Sequence, residues 1–482
     1  MTEQNDFGEG FPPKSIAFVG VSRTNHFQHP GYTGSKLIRI LQEGGFEGRL
    51  YPVNPKATEI DGLKAYPTVS AIPETVDLVN ITVPAPAVPG VLEDCARARP
   101  RNVQICTSGF GETGGAEGKA LDAQILEIAS RTGLRIIGPN CMGFHVPSAR
   151  IQMFENVPME PGPVAFLSQS GGHARVFILH ASHKGVGLSK VISYGNALLT
   201  DEADLVEYLA TDPDTRVVCM YLEGVKKGRR LMELVQAVSP TKPVVIWKGG
   251  LSAPGARAAA SHTASLAGER QIWDAFFKQT GAIPVGSIEE MVDVALLLLH
   301  LKPLPQGNRV TVLGGGGGDT VAAGDACAEA GLEVPPLSPQ TRSELLSYVY
   351  LVNQGIGNPL DLPIVFYDMN NLRRTLRTLA DDPLLDAIMI RMGSEFFVMD
   401  QLFPSRSQYA EAIRDVAEHE MGRKPVMVAI TDETSVEPAE KHARAFREAG
   451  VPALGSLRRV CHALSRVSAY QRYLTSIGAE VR

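Results

Sequence analysis

SIAFVGV at residues 15–21 and GPVAFLSQSGG at residues 162–172 carry the reading of the fold. Each is an unbroken apolar run that ends in small and polar residues. A run with no polar alternation is a strand buried on both faces, which belongs to a parallel sheet covered by helices. RLYPVN (49–54), VDLVNITVP (76–84), NVQICTSG (102–109) and LRIIGPN (134–140) repeat the pattern. Helical stretches at 34–44 and 88–97 separate them, so the chain opens with a Rossmann-like domain.

A loop over 147–163 leads to a second series. After GPVAFLSQS come LSKVISYGN (188–196), VVCMYLEG (217–224), KPVVIWKGG (242–250) and AIPVGS (282–287). KPLPQGNR (302–309) has the Pro, Gly and Asn of a linker. A third series follows: RVTVLGGGGG (309–318), LDAIMIRMG (385–393), KPVMVAIT (424–431) and VPALGS (451–456). The second and third series share a KPV strand, a helix and a small-residue turn ending in (I/V)-P, GAIP at 281–284 and AGVP at 449–452, an internal echo of two related flavodoxin-like domains. The expected class is α/β, with boundaries at 1–147, 148–303 and 304–482. A length of 482 residues at roughly 150 per domain agrees with three.

A hydrophobic content of 44% with 20% charged residues describes a globular chain, and a net charge of −6 argues against nucleic-acid or polybasic membrane partners. An anionic ligand stays open, because backbone amides can bind anions without changing net charge. Six scattered cysteines without a CxxC pair point to a reducing compartment and no structural zinc or other metal site. The start, MTEQNDFGEG, is too polar for a signal peptide. The apolar run at 294–299 is far short of the ~20 residues that span a bilayer. The expected location is the cytoplasm.

In an open parallel sheet, ligands sit beyond the carboxyl ends of the strands. There the first domain places Gly20, Ser22 and Arg23, then Asn54, Pro55 and Lys56, then Val83 and Pro84. Ser108, Gly109 and Glu112 follow strand four, and Pro139, Asn140 and Cys141 follow strand five. Gly20 permits close backbone approach, and Arg23 and Lys56 supply positive charge. Singly each is an ordinary loop residue; together they suit a nucleotide-like ligand. No GxGxxG follows the first strand, where the dinucleotide fingerprint would stand, which disfavours NAD.

Two glycine-rich stretches stand between strand and helix, where helix dipole and free amides favour an anion. One is Ser168–Gly172; the other, Gly314–Gly318, reads equally as a flexible turn. GARAAASHTASLAG (255–268) has His262 at its centre, the only one of eleven histidines set among such small residues. A histidine so exposed to approach suits a nucleophile that changes partners. Such an imidazole needs an acceptor on its other nitrogen, and Glu223, at a strand end beside Gly224, is the best-placed carboxylate. His300, His442 and His462 lie in helical patterns, His26 and His29 lie in a loop, and His173 is ambiguous. No HExxH, P-loop or G-x-S-x-G motif occurs.

SIAFVGVSR, YPVNPKA, ITVPA, GPNCMG, SQSG, DEADLVEYLATDPDT (201–215), YLEGVK, GARAAASHT, NPLDL and KPVMV together resemble the NDP-forming acyl-CoA synthetases. The resemblance is to the alpha subunit of ADP-forming acetyl-CoA synthetase and, more distantly, of succinate–CoA ligase, over about residues 15–473. It implies a CoA-binding first domain holding CoA through the residues named above, with the thiol end near Asn140 and Cys141. It implies that His262 is transiently phosphorylated and steadied by Glu223, with phosphate held by Ser168, Ser170 and Gly171. A phosphoryl group from ATP or GTP would pass through His262 to a carboxylic acid, and CoA would displace it to give acyl-CoA.

Some residues depart from the family pattern. Ala264 replaces the glycine of SHTGS, GGGGG runs into Asp319, the loop at 23–34 carries two histidines, and Gly172, His173 and Ala174 follow SQSG. His173 would then face the acyl pocket, and the substrate would be an acid other than acetate. No ATP-grasp module follows the third domain, so the resemblance implies a separate ATP-grasp beta subunit that binds the nucleotide with Mg, in a hetero-oligomer or homodimer. Two other readings of the same residues are a nucleotide-independent CoA acyltransferase or thiolytic enzyme, and a non-catalytic CoA sensor.

Overall fold

The computed structural model describes residues 7–22, 34–257, 269–349, 355–397, 404–419, 424–431 and 439–479. Two compact units divide the chain, Met1–Ile288 and Glu289–Arg482. Among the described residues no helix is long and apolar enough to cross a membrane.

The first unit begins with β1 (Ser15–Val19), α1 (Gly34–Glu43), β2 (Arg49–Val53) and a small hairpin, β3 (Glu59–Ile60) and β4 (Leu63–Lys64). β5 (Leu78–Ile81), α2 (Val88–Ala98), β6 (Asn102–Ile105), α3 (Ala116–Thr132) and β7 (Ile136–Ile137) complete its first layer. The strands make one parallel sheet in the order β2-β1-β5-β6-β7. β1, β5 and β6 are buried along their whole length, as unbroken apolar runs require. Two helices stop where the chain turns left-handed, α2 at Arg99 (φ 52°) and α3 at Gly133 (φ 73°).

LRIIGPN yields a strand of only two residues, because Gly138 turns the chain at φ 101°. A Cβ there would lie 2.6 Å from the Ile105 carbonyl oxygen, which leaves only glycine. The chain then crosses to the second sheet through β8 (Gly143–Val146), which pairs antiparallel with a later strand, and β9 (Ile151–Gln152).

That sheet is built from β10 (Pro161–Ser168), α4 (Gly171–His183), β11 (Leu188–Ser193), α5 (Glu202–Thr211), β12 (Val217–Leu222), α6 (Gly228–Val238), β13 (Val244–Lys248), α7 (Arg270–Thr280) and β14 (Ile283–Val285). Its order is β14-β13-β12-β10-β11-β8-β9. Phe166 of β10 stacks on Phe177 of α4 at 4.1 Å, fixing helix to sheet. α5 starts with a capping box: Asp201 accepts from the amides of Ala203 and Asp204, and Asp204 accepts from the amide of Asp201.

The second unit takes in α8 (Ile288–His300), β15 (Val310–Gly314), α9 (Gly317–Glu329), α10 (Pro339–Leu346), β16 (Leu360–Asp361), α11 (Met369–Ala380), β17 (Ala387–Gly393), α12 (Arg406–His419), β18 (Val426–Thr431), α13 (Ala439–Glu448), β19 (Ala453–Leu454) and α14 (Leu457–Ser476). α8 joins this unit although it precedes the expected linker. Its Glu289, Asp293 and Glu290 pair with Arg459 and Arg466 of α14. The sheet order, β16-β15-β17-β18-β19, matches β11-β10-β12-β13-β14 strand for strand. The repeated KPV phrases lead into β13 and β18, and GAIP (281–284) and AGVP (449–452) lead into β14 and β19, of two like-wound sheets.

Candidate functional site

The first sheet reverses its strand order between β1 and β5, where such sheets bind ligands. A cleft of about 400 Å³ opens there, lined by Gly20, Asn54, Pro55, Val83 and Gly90. Gly20 has φ 101°, and a Cβ would meet Thr82 Oγ1 at 2.8 Å and the Val83 amide nitrogen at 2.9 Å. Asn54 works as a brace: its Nδ2 donates to the Val21 carbonyl at 2.7 Å, and its Oδ1 accepts from the amides of Lys56 and Ala57. The Ser22 amide donates to Ser35 Oγ, which returns a bond to the Ser22 carbonyl. Lys56, Pro84 and Ser108 are exposed beside the cleft. Arg23, His26 and His29 lie outside the described residues.

Glu112 and Asn140 belong to a bridge that joins the two sheets of the first unit. Glu112 Oε1 accepts from the Gly109 amide at 2.6 Å, and its Oε2 accepts from Asn196 Nδ2 at 2.7 Å. Asn140 sits left-handed at φ 57° and donates to Asn196 Oδ1 at 3.3 Å. Asn196 was the last residue of LSKVISYGN, and only its strand-end position hinted at this. Gly195 beside it is obligatory, since a Cβ would fall 2.3 Å from the Pro139 oxygen. The Cys141 thiol is buried and bonds the Ile105 carbonyl at 3.3 Å; burial and the neighbouring Cys106 raise its pKa well above that of a free thiol. Cys141 therefore offers a ligand its backbone and no thiolate.

The segment after Cys141 reaches the head of α4. A side chain on Gly171 would lie 2.3 Å from Met142 Cγ, so glycine lets the two loops touch. Ser170 caps α4 by accepting from the His173 amide at 3.3 Å. Ser168 is fully buried, donating to the Ser170 carbonyl and accepting from its amide. The serines thus shape the turn, and the first-turn amides at Gly171 and Gly172 are the groups left to face an anion.

Glu223 follows β12 beside this loop and is 7% exposed. Gln169 fixes it there. Gln169 Oε1 accepts from the amides of Glu223 and, at 3.1 Å, Gly224, while its Nε2 donates to the Gly224 carbonyl at 2.9 Å. Lys248, at the end of β13, donates to the Glu223 carbonyl at 2.8 Å. Burial brings its pKa down to about 8, against the pull of the Glu223 carboxylate. Neither residue stood out in the sequence, where each is one polar letter in a strand-end phrase. Three rings complete the wall: His173 lies 4.3 Å from Tyr221 and 5.0 Å from Trp247, and Tyr221 lies 4.9 Å from Trp247. His262 and Ala264 lie outside the described residues.

Gly314–Gly318 is arranged differently. The Gly316 amide donates to Asp361 Oδ1 at 2.7 Å, and Arg391 pairs with Asp319 at 2.6 Å. The chain's own carboxylates take the Gly316 amide and the Arg391 guanidinium, which favours the turn reading of this stretch.

Residues 14–147 match the CoA binding domain model, and residues 161–298 match the succinyl-CoA ligase like flavodoxin domain model. The alpha subunit of acetate–CoA ligase [ADP-forming] I from Pyrococcus furiosus is 36% identical over 96% of this chain and 97% of its own length. The alpha subunit of ligase II from that organism is 38% identical over 79% and 80%. Acetate–CoA ligase [ADP-forming] I of Archaeoglobus fulgidus is 35% identical over 96% of this chain, which spans only 63% of that relative. The solved acetyl-coenzyme A synthetase 1 of Ca. Korarchaeum cryptofilum, in complex with phosphate and ADP, superposes with a TM-score of 0.81 at 32% identity, covering 98% of each chain. A CoA-binding domain joined to a succinyl-CoA ligase-like flavodoxin domain is the framework of an acid–thiol ligase. The chain belongs to the ADP-forming acetate–CoA ligase family and aligns with its alpha subunits over most of their length.

Proposed function

We propose that this chain is the CoA-binding, phosphohistidine-forming subunit of an NDP-forming acyl-CoA synthetase. Its three domains are 1–147 for CoA, 148–303 for the phosphorylated histidine and 304–482 for a second ligase domain. A separate ATP-grasp subunit binds ATP or GTP with Mg and transfers the γ-phosphoryl group to His262. The N–P bond of phospho-His262 then breaks as a substrate carboxylate oxygen attacks phosphorus, giving an acyl phosphate. The CoA thiolate attacks the acyl carbon, a C–S bond forms, and inorganic phosphate leaves. Glu223 accepts a hydrogen bond from the second imidazole nitrogen, fixing its tautomer and stabilising its positive charge. Gly171 and Gly172 hold the phosphate at the head of α4, with Ser168 and Ser170 shaping that turn. CoA lies in the cleft of Gly20, Asn54 and Val83, flanked by Ser22, Arg23, Lys56, Pro84, Ser108 and Glu112, its thiol directed towards Asn140 and Cys141. Six unpaired cysteines suit a cytoplasmic enzyme.

The observation that carries this reading is the clamp by Gln169, which sets Glu223 beside a helix head open to an anion. The purified chain alone should release CoA from a suitable acyl-CoA when phosphate is added, up to one equivalent per His262, and should form no ADP from ATP. Nucleotide-dependent thioester synthesis by this polypeptide alone, or no phosphate-dependent CoA release with any acyl-CoA, would overturn it.

A further inference from the structure

Acetate presents one methyl group, and one small apolar contact would serve it. The wall beside Glu223 is instead aromatic. Tyr221 and Trp247 are direct cross-strand partners at the carboxyl ends of β12 and β13. His173, in the first turn of α4, closes the third side, with all three ring pairs within 4.3–5.0 Å. Their planes meet at 54–65°, the tilted and edge-on geometry by which aromatic groups extend a cluster to a further ring. Trp247 is only half-buried, leaving ring surface for an added group. Gly249, two residues further on, lets the Tyr221 hydroxyl pack against the backbone, where a Cβ would lie 2.9 Å away, and so helps to fix the Tyr221 ring.

His173 adds a polar handle. Its Nδ1 is shielded from solvent and has no hydrogen-bond partner among the described residues. Burial lowers its pKa, so the ring favours the neutral form. A buried imidazole nitrogen without a partner is costly unless a ligand group supplies one.

Resting on the synthetase reading above, we propose that His173, Tyr221 and Trp247 form the acyl-group subsite, and that the acid activated here carries an aromatic ring with a hydrogen-bonding substituent. The ring lies against Trp247 and the substituent meets His173 Nδ1. The carboxylate points towards Glu223 and the head of α4, where the phosphoryl group is exchanged.

Trp247 and Trp273 are the two tryptophans of the chain, so Trp273→Phe leaves Trp247 as the sole tryptophan, read by selective excitation of indole. Titrating that variant with 4-hydroxyphenylacetate and with acetate reads binding without requiring turnover. Saturable quenching by the aromatic acid, with acetate at least about tenfold weaker, is the expected result. In parallel, phosphate-dependent CoA release is compared for 4-hydroxyphenylacetyl-CoA, phenylacetyl-CoA and acetyl-CoA. The aromatic-to-acetyl ratio of single-turnover rate constants for CoA release, measured at low thioester concentration, should fall by about tenfold in Trp247→Ala. His173→Phe should lose the preference for the hydroxylated over the plain ring. Preference for acetyl-CoA, or equal loss on all three thioesters in both variants, assigns the rings to core packing and overturns the proposal. Quenching by the aromatic acid with no CoA release from any thioester keeps the subsite and rejects the synthetase chemistry. CoA release from acetyl-CoA alone, with no quenching, does the reverse. Melting temperatures, with Trp247→Phe and His173→Asn as milder variants, separate misfolding from altered selectivity.

Discussion

The Gln169 carboxamide holds the backbone of Glu223: its Oε1 accepts from the Glu223 amide and its Nε2 donates to the next carbonyl, at Gly224. β10 and β12 are neighbours in the sheet, so the bonds couple the loop that begins α4 to the turn that carries the carboxylate. A swing of either loop would move both.

Gln169→Ala should be costly. It leaves two buried amide donors and one carbonyl without partners, at about 1–3 kcal/mol for each group not reached by water. We expect thermal unfolding several degrees lower and phosphate-dependent CoA release reduced by about tenfold or more. CoA affinity, measured by calorimetry, should stay within about twofold because the cleft at Gly20 lies on another sheet. Equal loss of CoA binding and release would contradict the local role.

Gly20→Ala tests the CoA cleft. The added methyl would meet Thr82 and Val83 at under 3 Å, in a backbone conformation that disfavours side chains. The β1 and β5 loops must part, so CoA affinity should fall by at least about tenfold. Undiminished CoA binding in calorimetry would place the ligand elsewhere.

Glu202 offers a pH test. Burial, with Asp201 nearby, raises its carboxyl pKa to about 7, although the backbone hydrogen bond it accepts pulls the other way. An unfolded chain ionises this group near pH 4.5, so between about 4.5 and 7 the unfolded state binds fewer protons and stability falls as pH rises. Glu202→Gln mimics the protonated form. Its melting temperature should match the parent's at pH 4.5 and exceed it at pH 8. The opposite order in calorimetric scans would refute the assignment.

Lys190 on β11 is 1% exposed and bonds both oxygens of Asp212, at 2.8 and 2.7 Å. Lys190→Met strands a carboxylate that is 6% exposed, and should cost about 3–5 kcal/mol in denaturant titrations. Lys190→Met with Asp212→Leu should recover much of that loss. A single variant as stable as the parent would show the pair to be idle.

Much of the fold was legible because buried parallel strands write themselves as apolar runs. The strands named over 15–21, 162–170 and 217–224 are all present. The exchange of sheets after β7 was not legible. LRIIGPN looks like its neighbours, and the turn at Gly138 depends on how close the Ile105 carbonyl lies. α8 was equally opaque, since its attachment rests on Arg459 and Arg466, more than 150 residues away. At the site, glycines and strand-end residues marked the loops of Gly20, Asn54 and Ser168. Their roles emerged only in three dimensions: Asn54 and Ser168 brace turns, and the Cys141 thiol points inward. Gln169 and Lys248 went unnoticed because their partners are backbone groups of other segments, and Asn196 because its partners, the Glu112 and Asn140 side chains, lie more than 50 residues away; none of these leaves a pattern of spacing.

The central claim concerns His262 as a phosphoryl carrier served by Glu223. Incubating the chain with radiolabelled phosphate and an acyl-CoA, then resolving the peptide label, tests it most directly. The account predicts an acid-labile, base-stable phosphate on His262, absent in His262→Asn and reduced by about a hundredfold in Glu223→Gln at equal fold stability. Label that persists in His262→Asn, or that never forms on the native chain with any thioester, would contradict it.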